Sequence, residues 1–184
     1  MTHRFVISRC IEIDAGHRVP DHTSKCYNLH GHRYKIELGV DSETLQSTGP
    51  ETGMVKDFGF LKDLMMKTIH DRFDHSLMLY VEDPILEVFL VHTRIKSLKE
   101  EFQLGQFHQS QSPFIPCKAK RFPVPVSLVV CAFVPTAENL ARAWYEALQP
   151  GIREALGNDP SYVKVWETPN SIAEYFPSVK VRPM

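Results

Sequence analysis

Apolar and polar positions alternate at both ends of the chain and follow a helical period between them. Residues 3–14 are mostly β-branched or apolar, with Phe5, Ile7, Ile11 and Ile13 on one parity and no Gly or Pro, which predicts a strand. A polar loop, 18–29, separates it from residues 30–41, which alternate through Tyr34, Ile36, Leu38 and Val40 as a half-buried strand does. Residues 42–53 form a turn cluster. Phe60, Leu61, Leu64, Met65, Thr68 and Ile69 then recur at the 3.6 period, so a helix is expected from about Gly59 to Arg72, with Asp57 as N-cap. Val126 to Val134 is a short continuous apolar run, the mark of a buried strand. Thr136 can cap a second helix with Leu140, Ala143, Trp144, Ala147 and Leu148 on its apolar face, and Pro150-Gly151 is expected to interrupt it near its end. Tyr162 to Thr168 alternates again. After a turn at Pro169-Asn170-Ser171, the run to Phe176 returns as its hairpin partner.

Residues 80–125 break this rhythm. A helix after Asp83-Pro84, with Pro84 at its first position, is compatible with the pattern. Residues 105–125 are rich in Gln, Ser and Pro and predict an exposed loop. The whole is expected to be one domain, 1–184, with an insertion at about 81–125. Its element order predicts an α+β fold, an antiparallel sheet with two helices packed on one face. Such a sheet leaves edges open, and pairing them with other copies predicts a homo-oligomer.

Charge removes some functions from consideration. With 21 basic and 22 acidic residues the formal net charge is −1, which gives no electrostatic footprint for nucleic acid or an anionic membrane. No apolar run approaches the roughly 20 residues of a membrane span, and the chain enters its first strand without a signal peptide. The four cysteines show neither framework spacing nor a C-x-x-C pair, so a reducing, cytoplasmic setting is expected.

The candidate chemistry lies between Glu12 and Leu38. His30 and His32 are two apart on one strand and share a face, and His17 ends the preceding strand. Three neutral imidazoles with one position open form a layout for catalytic zinc. His22 competes for the third place, but it sits in a loop, where geometry is less well fixed. Cys26 admits two readings. Beside a cation it is a candidate base or nucleophile, and it is equally a candidate fourth ligand of a closed structural site. Asp74-His75 follows the first helix, where a carboxylate can orient an imidazole or the pair can simply cap the helix. Glu167 ends a strand and is either solvated or placed to accept paired hydrogen bonds from an N–C–N edge. Cys10 reads as a small sheet residue, and His92 and His108 read as surface histidines.

Taken in register, HRV, C-x-x-x-H-G-H, FDH, PTAEN and VWET resemble the 6-pyruvoyl and 6-carboxy-tetrahydropterin synthase family over most of residues 5–80 and 126–176. The resemblance implies a T-fold assembled into an oligomeric barrel, commonly a hexamer, with sites at subunit boundaries. It implies zinc held by His17, His30 and His32. It implies Cys26 as proton acceptor, His75 backed by Asp74 as a second base, and Glu167 as the anchor of the pterin ring and a member of the same proton relay. Thr136 and Ala137 would contact the pterin. The substrate implied is 7,8-dihydroneopterin triphosphate. The three-residue gap between Cys26 and His30, with Lys25 before the cysteine, resembles the queuosine-pathway, 6-carboxy-forming branch rather than the pyruvoyl branch. A non-catalytic zinc-stabilised module remains a different reading of the same residues.

Overall fold

The computed structural model describes residues 4–103, 113–118 and 125–177. His108, most of the residue 105–125 stretch and the tail beyond Pro177 lie outside the described residues. Two long strands organise the rest. β1 (Phe5–His17) and β2 (His30–Ser42) pair antiparallel over their whole length, from Phe5 opposite Ser42 to His17 opposite His30. Alternation fixes this register. Ile11, Ile13, Ala15 and His17 on β1 share the buried face with Tyr34, Ile36 and Leu38 on β2, and a slip of one residue would turn both sets to solvent.

Five further strands extend the pair: β3 (Leu77–Tyr80), β4 (Phe114–Lys118), β5 (Ser127–Cys131), β6 (Tyr162–Thr168) and β7 (Ser171–Tyr175). The order is β4-β5-β3-β1-β2-β6-β7. β6 and β7 form the expected hairpin. The sheet is mixed, however, because β3 runs parallel to both β1 and β5. β3 is a four-residue apolar run whose pairing is entirely non-local, so no local pattern announces it. β4 corrects the exposed-loop reading of its stretch: Phe114 is buried, and the strand pairs antiparallel with β5.

The first helix begins as expected, with the Asp57 side chain accepting the Gly59 N–H. It runs through α1 (Phe58–Met65), a π-helical stretch (Met66–His70) and a last α turn, α2 (Asp71–Phe73). The widened turn lies just before Asp74-His75, and π-bulges are frequent at functional sites. Residues after Pro84 form α3 (Leu86–Phe89) and α4 (His92–Gln103). α3 starts two residues later than the Pro84 position suggests, because the chain first turns with i→i+3 bonds, from the Leu86, Glu87 and Val88 N–H groups to the Asp83, Pro84 and Ile85 carbonyls. α5 (Ala137–Leu156) is capped by Thr136 and continues through Pro150. The expected interruption does not occur. Leu148 and Ile152, one on each side of the proline, are both fully buried, and this packing offsets the missing hydrogen bond. Gly151 lets α5 approach α1 closely, since a Cβ there would lie 2.7 Å from Leu64 Cδ1.

α1 and α5 cover one face of the sheet around Tyr34, Ile36, Leu38, Phe73 and Trp144. A second apolar cluster lies on the other face of β3 and β5. There Leu79, Leu128 and Val130 meet Leu86, Phe89, Ile95 and Leu98 from α3 and α4. Of the segment expected as an insertion, α3 and α4 are therefore packed on the sheet as a second layer over those strands. Among the described residues no helix is long and apolar enough to cross a membrane.

Candidate active site

The terminal pair of the β1–β2 register, His17 opposite His30, brings two imidazoles together, and His32 joins them from the same face of β2. Their ligand nitrogens all lie within 4.8 Å of one another. His17 Nδ1 is 2.7 Å from the Pro135 carbonyl, and His30 Nδ1 is 2.8 Å from the Asn28 carbonyl. A carbonyl only accepts, so both Nδ1 atoms carry the proton and both Nε2 atoms present lone pairs. Those two Nε2 atoms face each other at 3.1 Å. His32 Nε2 is buried without a hydrogen-bond partner. Converging lone pairs around a shared point suit a cation. Tetrahedral zinc with bonds of about 2.0–2.1 Å would set its nitrogens roughly 3.3 Å apart, close to the observed pair. Burial, reinforced by the two neighbouring histidines, lowers the His17 pKa to about 4 against the opposing pull of the Pro135 carbonyl, and burial also lowers that of His32. Both are thus neutral, as metal ligands must be. His22 is not part of the cluster, and its Nδ1 accepts the Ser24 N–H within the loop.

Glu167 leans into the same site, with Oε1 3.5 Å from His17 Nε2 and 3.9 Å from His32 Nε2. Tyr34 was not singled out from the sequence. Its ring packs edge-on against His17 and His32 with centroid distances of 5.9 and 5.6 Å, and its hydroxyl is buried without a partner. Burial raises its pKa strongly, and the charges of Glu167, Cys131 and Cys26 add to the effect. Cys26 lies on a single 3₁₀ turn, Lys25–Tyr27, and is half-buried. It is not among the clustered ligands. Thr136 and Ala137 open α5 immediately after Pro135, the residue whose carbonyl orients His17. The carbonyls of Asn28 and Pro135 carry no side-chain signature, so only the fold reveals their role.

Asp74 and His75 are held elsewhere. The Asp14 N–H donates to Asp74 Oδ1 at 2.9 Å, and the His75 N–H donates to the Asp14 carbonyl at 2.7 Å. His75 Nδ1 donates to Asp74 Oδ2 at 2.8 Å. These bonds fix His75 at a φ of 56°, which costs a non-glycine residue energy and recurs at functional positions. Burial would raise the Asp74 pKa, but the Asp14 N–H, His75 and His70 outweigh it and hold the carboxyl below its ordinary value. The His75 ring is 79% exposed and lines a shallow cavity of about 450 Å³ with Asp14, Gly16, Gly31, Arg33 and also His32, one of the three clustered histidines. By strand alternation Asp14, Gly16, Gly31 and Arg33 face away from the side on which His17 and His30 project, while His32 borders both. No hydrogen bond or ion pair joins Cys26 to His75 among the described residues.

A sheet backed by helices, with three converging imidazoles at the end of its central hairpin, defines a T-fold protein with a candidate metal centre. The chain belongs to the 6-pyruvoyl tetrahydropterin synthase family, whose model matches residues 6–178. It is 32% identical over 167 residues to a Rickettsia bellii protein named 6-carboxy-5,6,7,8-tetrahydropterin synthase, covering 91% of this chain and 96% of that one. An Aquifex aeolicus protein of the same name is 32% identical over 190 residues, covering 94% and 98%. Among solved structures, an uncharacterised protein from Wolinella succinogenes superposes with a TM-score of 0.70 at 26% identity, covering 95% and 98%. The Caenorhabditis elegans 6-pyruvoyl tetrahydropterin synthase shares the fold, with a TM-score of 0.53 at 20% identity and coverage of 96% and 98%.

Proposed function

We propose that the protein is a cytoplasmic, zinc-dependent carbon–carbon lyase. It converts 7,8-dihydroneopterin triphosphate and water to 6-carboxy-5,6,7,8-tetrahydropterin, acetaldehyde and triphosphate, on the route to 7-deazaguanine and queuosine. The observation that carries this reading is the His17–His30 pair with both Nδ1 protons anchored on carbonyls, since it leaves His32 and an open side for a substrate oxygen. His17, His30 and His32 would hold the metal, which when bound supplies Lewis acidity toward the substrate's side-chain hydroxyls. Cys26 accepts a proton from the activated side chain. His75, its Nδ1 proton held by Asp74, exchanges the second proton through Nε2. Glu167 accepts paired hydrogen bonds from the pterin's N–C–N edge, and Thr136, Ala137 and Lys25 complete the binding of ring and side chain. The naming of relatives and the three-residue gap between Cys26 and His30 both favour the carboxy product over the pyruvoyl one.

No hydrogen bond or ion pair joins Cys26 to His75 within one chain among the described residues, and on this reading the relay is completed between copies. The protein acts as a homo-oligomer, a hexamer, with His75 of one copy serving Cys26 of another. The 81–125 segment is an insertion on this scaffold. Mass spectrometry of products formed from 7,8-dihydroneopterin triphosphate by the zinc-loaded protein tests the reading. The expected products are 6-carboxytetrahydropterin and acetaldehyde, and a 6-pyruvoyl product would overturn it.

A further inference from the structure

A fully buried carboxylate lies where β3 gives way to α3. The Asp83 side chain has no exposed surface. Its backbone is fixed at both ends, because the Asp83 N–H donates to Tyr80, the last residue of β3, and the Asp83 carbonyl accepts from Leu86, the first residue of α3. Asp83 Oδ1 accepts the Ile85 N–H at 3.0 Å. Leu86 and Phe89 are buried in the second apolar cluster, so this anchor is rigid.

Asp83 Oδ2 faces Arg18 Nε at 3.0 Å, a charge contact without an aligned hydrogen bond, and the Arg18 side chain is only 12% exposed. Arg18 directly follows His17. Its guanidinium lies over the Tyr27 ring, 4.5 Å from the centroid. The next residue, Val19, donates its N–H to the Cys26 carbonyl at 2.9 Å. Two independent ties therefore join the 18–19 segment to the Cys26–Tyr27 turn. None of the turn's residues, Lys25, Cys26 and Tyr27, is fully buried. Leaving either member of a buried ion pair alone is costly, which makes the pair a stiff link. Asp83 balances the Arg18 charge, so Arg18 is not a free cation for an anionic substrate.

We infer that Asp83 and Arg18 are positioning residues: the packed segment after β3 holds, through Arg18 and its stack on Tyr27, the turn that presents Cys26 beside the three histidines. This rests on the reading of Cys26 as the proton acceptor. It assigns the segment after β3 a task in the same site, without any contact of its own to substrate.

The test is the alkylation rate of Cys26 by iodoacetamide in the folded, metal-loaded protein, followed by peptide mass spectrometry to separate it from Cys10, Cys117 and Cys131. Asp83→Asn keeps an acceptor for Ile85 and removes the charge facing Arg18. Freed from its anchor, the turn opens more often, and Cys26 alkylation is expected to rise roughly threefold or more. Tyr27→Leu removes the ring from a half-exposed position that does not endanger the core and is expected to raise the rate in the same way. Where turnover is measured, kcat in Asp83→Asn falls by about tenfold while KM is held, because a group is misplaced and no substrate contact is lost. Unchanged Cys26 alkylation in folded Asp83→Asn would overturn the inference. Should that variant not fold, an unchanged rate in Tyr27→Leu would do so. Alkylation needs no turnover, so failure of the lyase reading would appear separately, as absent product from the unmodified protein.

Discussion

His17 Nε2 and His30 Nε2 stand 3.1 Å apart with no proton between them, because the Pro135 and Asn28 carbonyls each claim the proton on the opposite side of a ring. Two lone pairs at that distance repel unless a cation lies between them and the third imidazole. His30→Ala removes one ligand and one anchor. It is expected to lower metal affinity by at least about 100-fold, beyond the 10- to 100-fold typical of losing an outer partner alone. Metal content after dialysis against a weak chelator checks this, and the unmodified protein should keep about one equivalent per chain.

The proposed completion of the Cys26–His75 relay between copies gives a second prediction. Cys26→Ala and His75→Ala should each be nearly inactive alone. Unfolded together and refolded as mixed oligomers, they should regain activity in up to about a quarter of the sites, where an intact cysteine from one copy meets an intact histidine from another. Steady-state rates of the mixture against each parent check it.

Asp74 gives a pH dependence whose sign is fixed. Its carboxyl is held below the ordinary 3.8 in the folded protein. The ionised form is thus favoured by folding, and its contribution is present above that value and lost as pH falls through the lower, folded one. Asp74→Asn removes the contribution. The gap in urea midpoint between the two proteins should be constant above about pH 5 and should shrink as the pH is taken below the unfolded value. Turnover of Asp74→Asn should fall as well, since one amide oxygen replaces the two that accept from the Asp14 N–H and His75 Nδ1, and the charge facing the imidazole is gone.

Much of this was legible in the sequence because strand parity acts locally. The period-2 runs of β1 and β2 set which residues face inward, and put His30 and His32 on one face with His17 near them at a strand end; the register that sets His17 opposite His30 is seen only in the fold. Asp57 and Thr136 marked both long helices through cap chemistry. What escaped was non-local. β3 and β4 are short, and their pairing with β1 and β5 depends on distant partners. Pro150 was misread because its cost is local while the burial of Leu148 and Ile152 is tertiary. The site followed the same division. Its ligands are side chains with a spacing, whereas the carbonyls of Asn28 and Pro135, the Tyr34 ring and the Asp14 clamp on His75 come together only in the fold. Glu167, ambiguous in sequence, lies with Oε1 3.5 Å from His17 Nε2, at the edge of the histidine cluster.

The central claim is that three histidines complete the protein's share of the metal site and leave Cys26 free for proton transfer. Metal content and turnover of Cys26→Ala, measured on the same preparation, test it most directly. A folded protein that keeps its full equivalent of zinc and loses nearly all activity is the predicted result. A variant that loses the zinc would show Cys26 to be a fourth ligand of a closed structural site and would contradict the account.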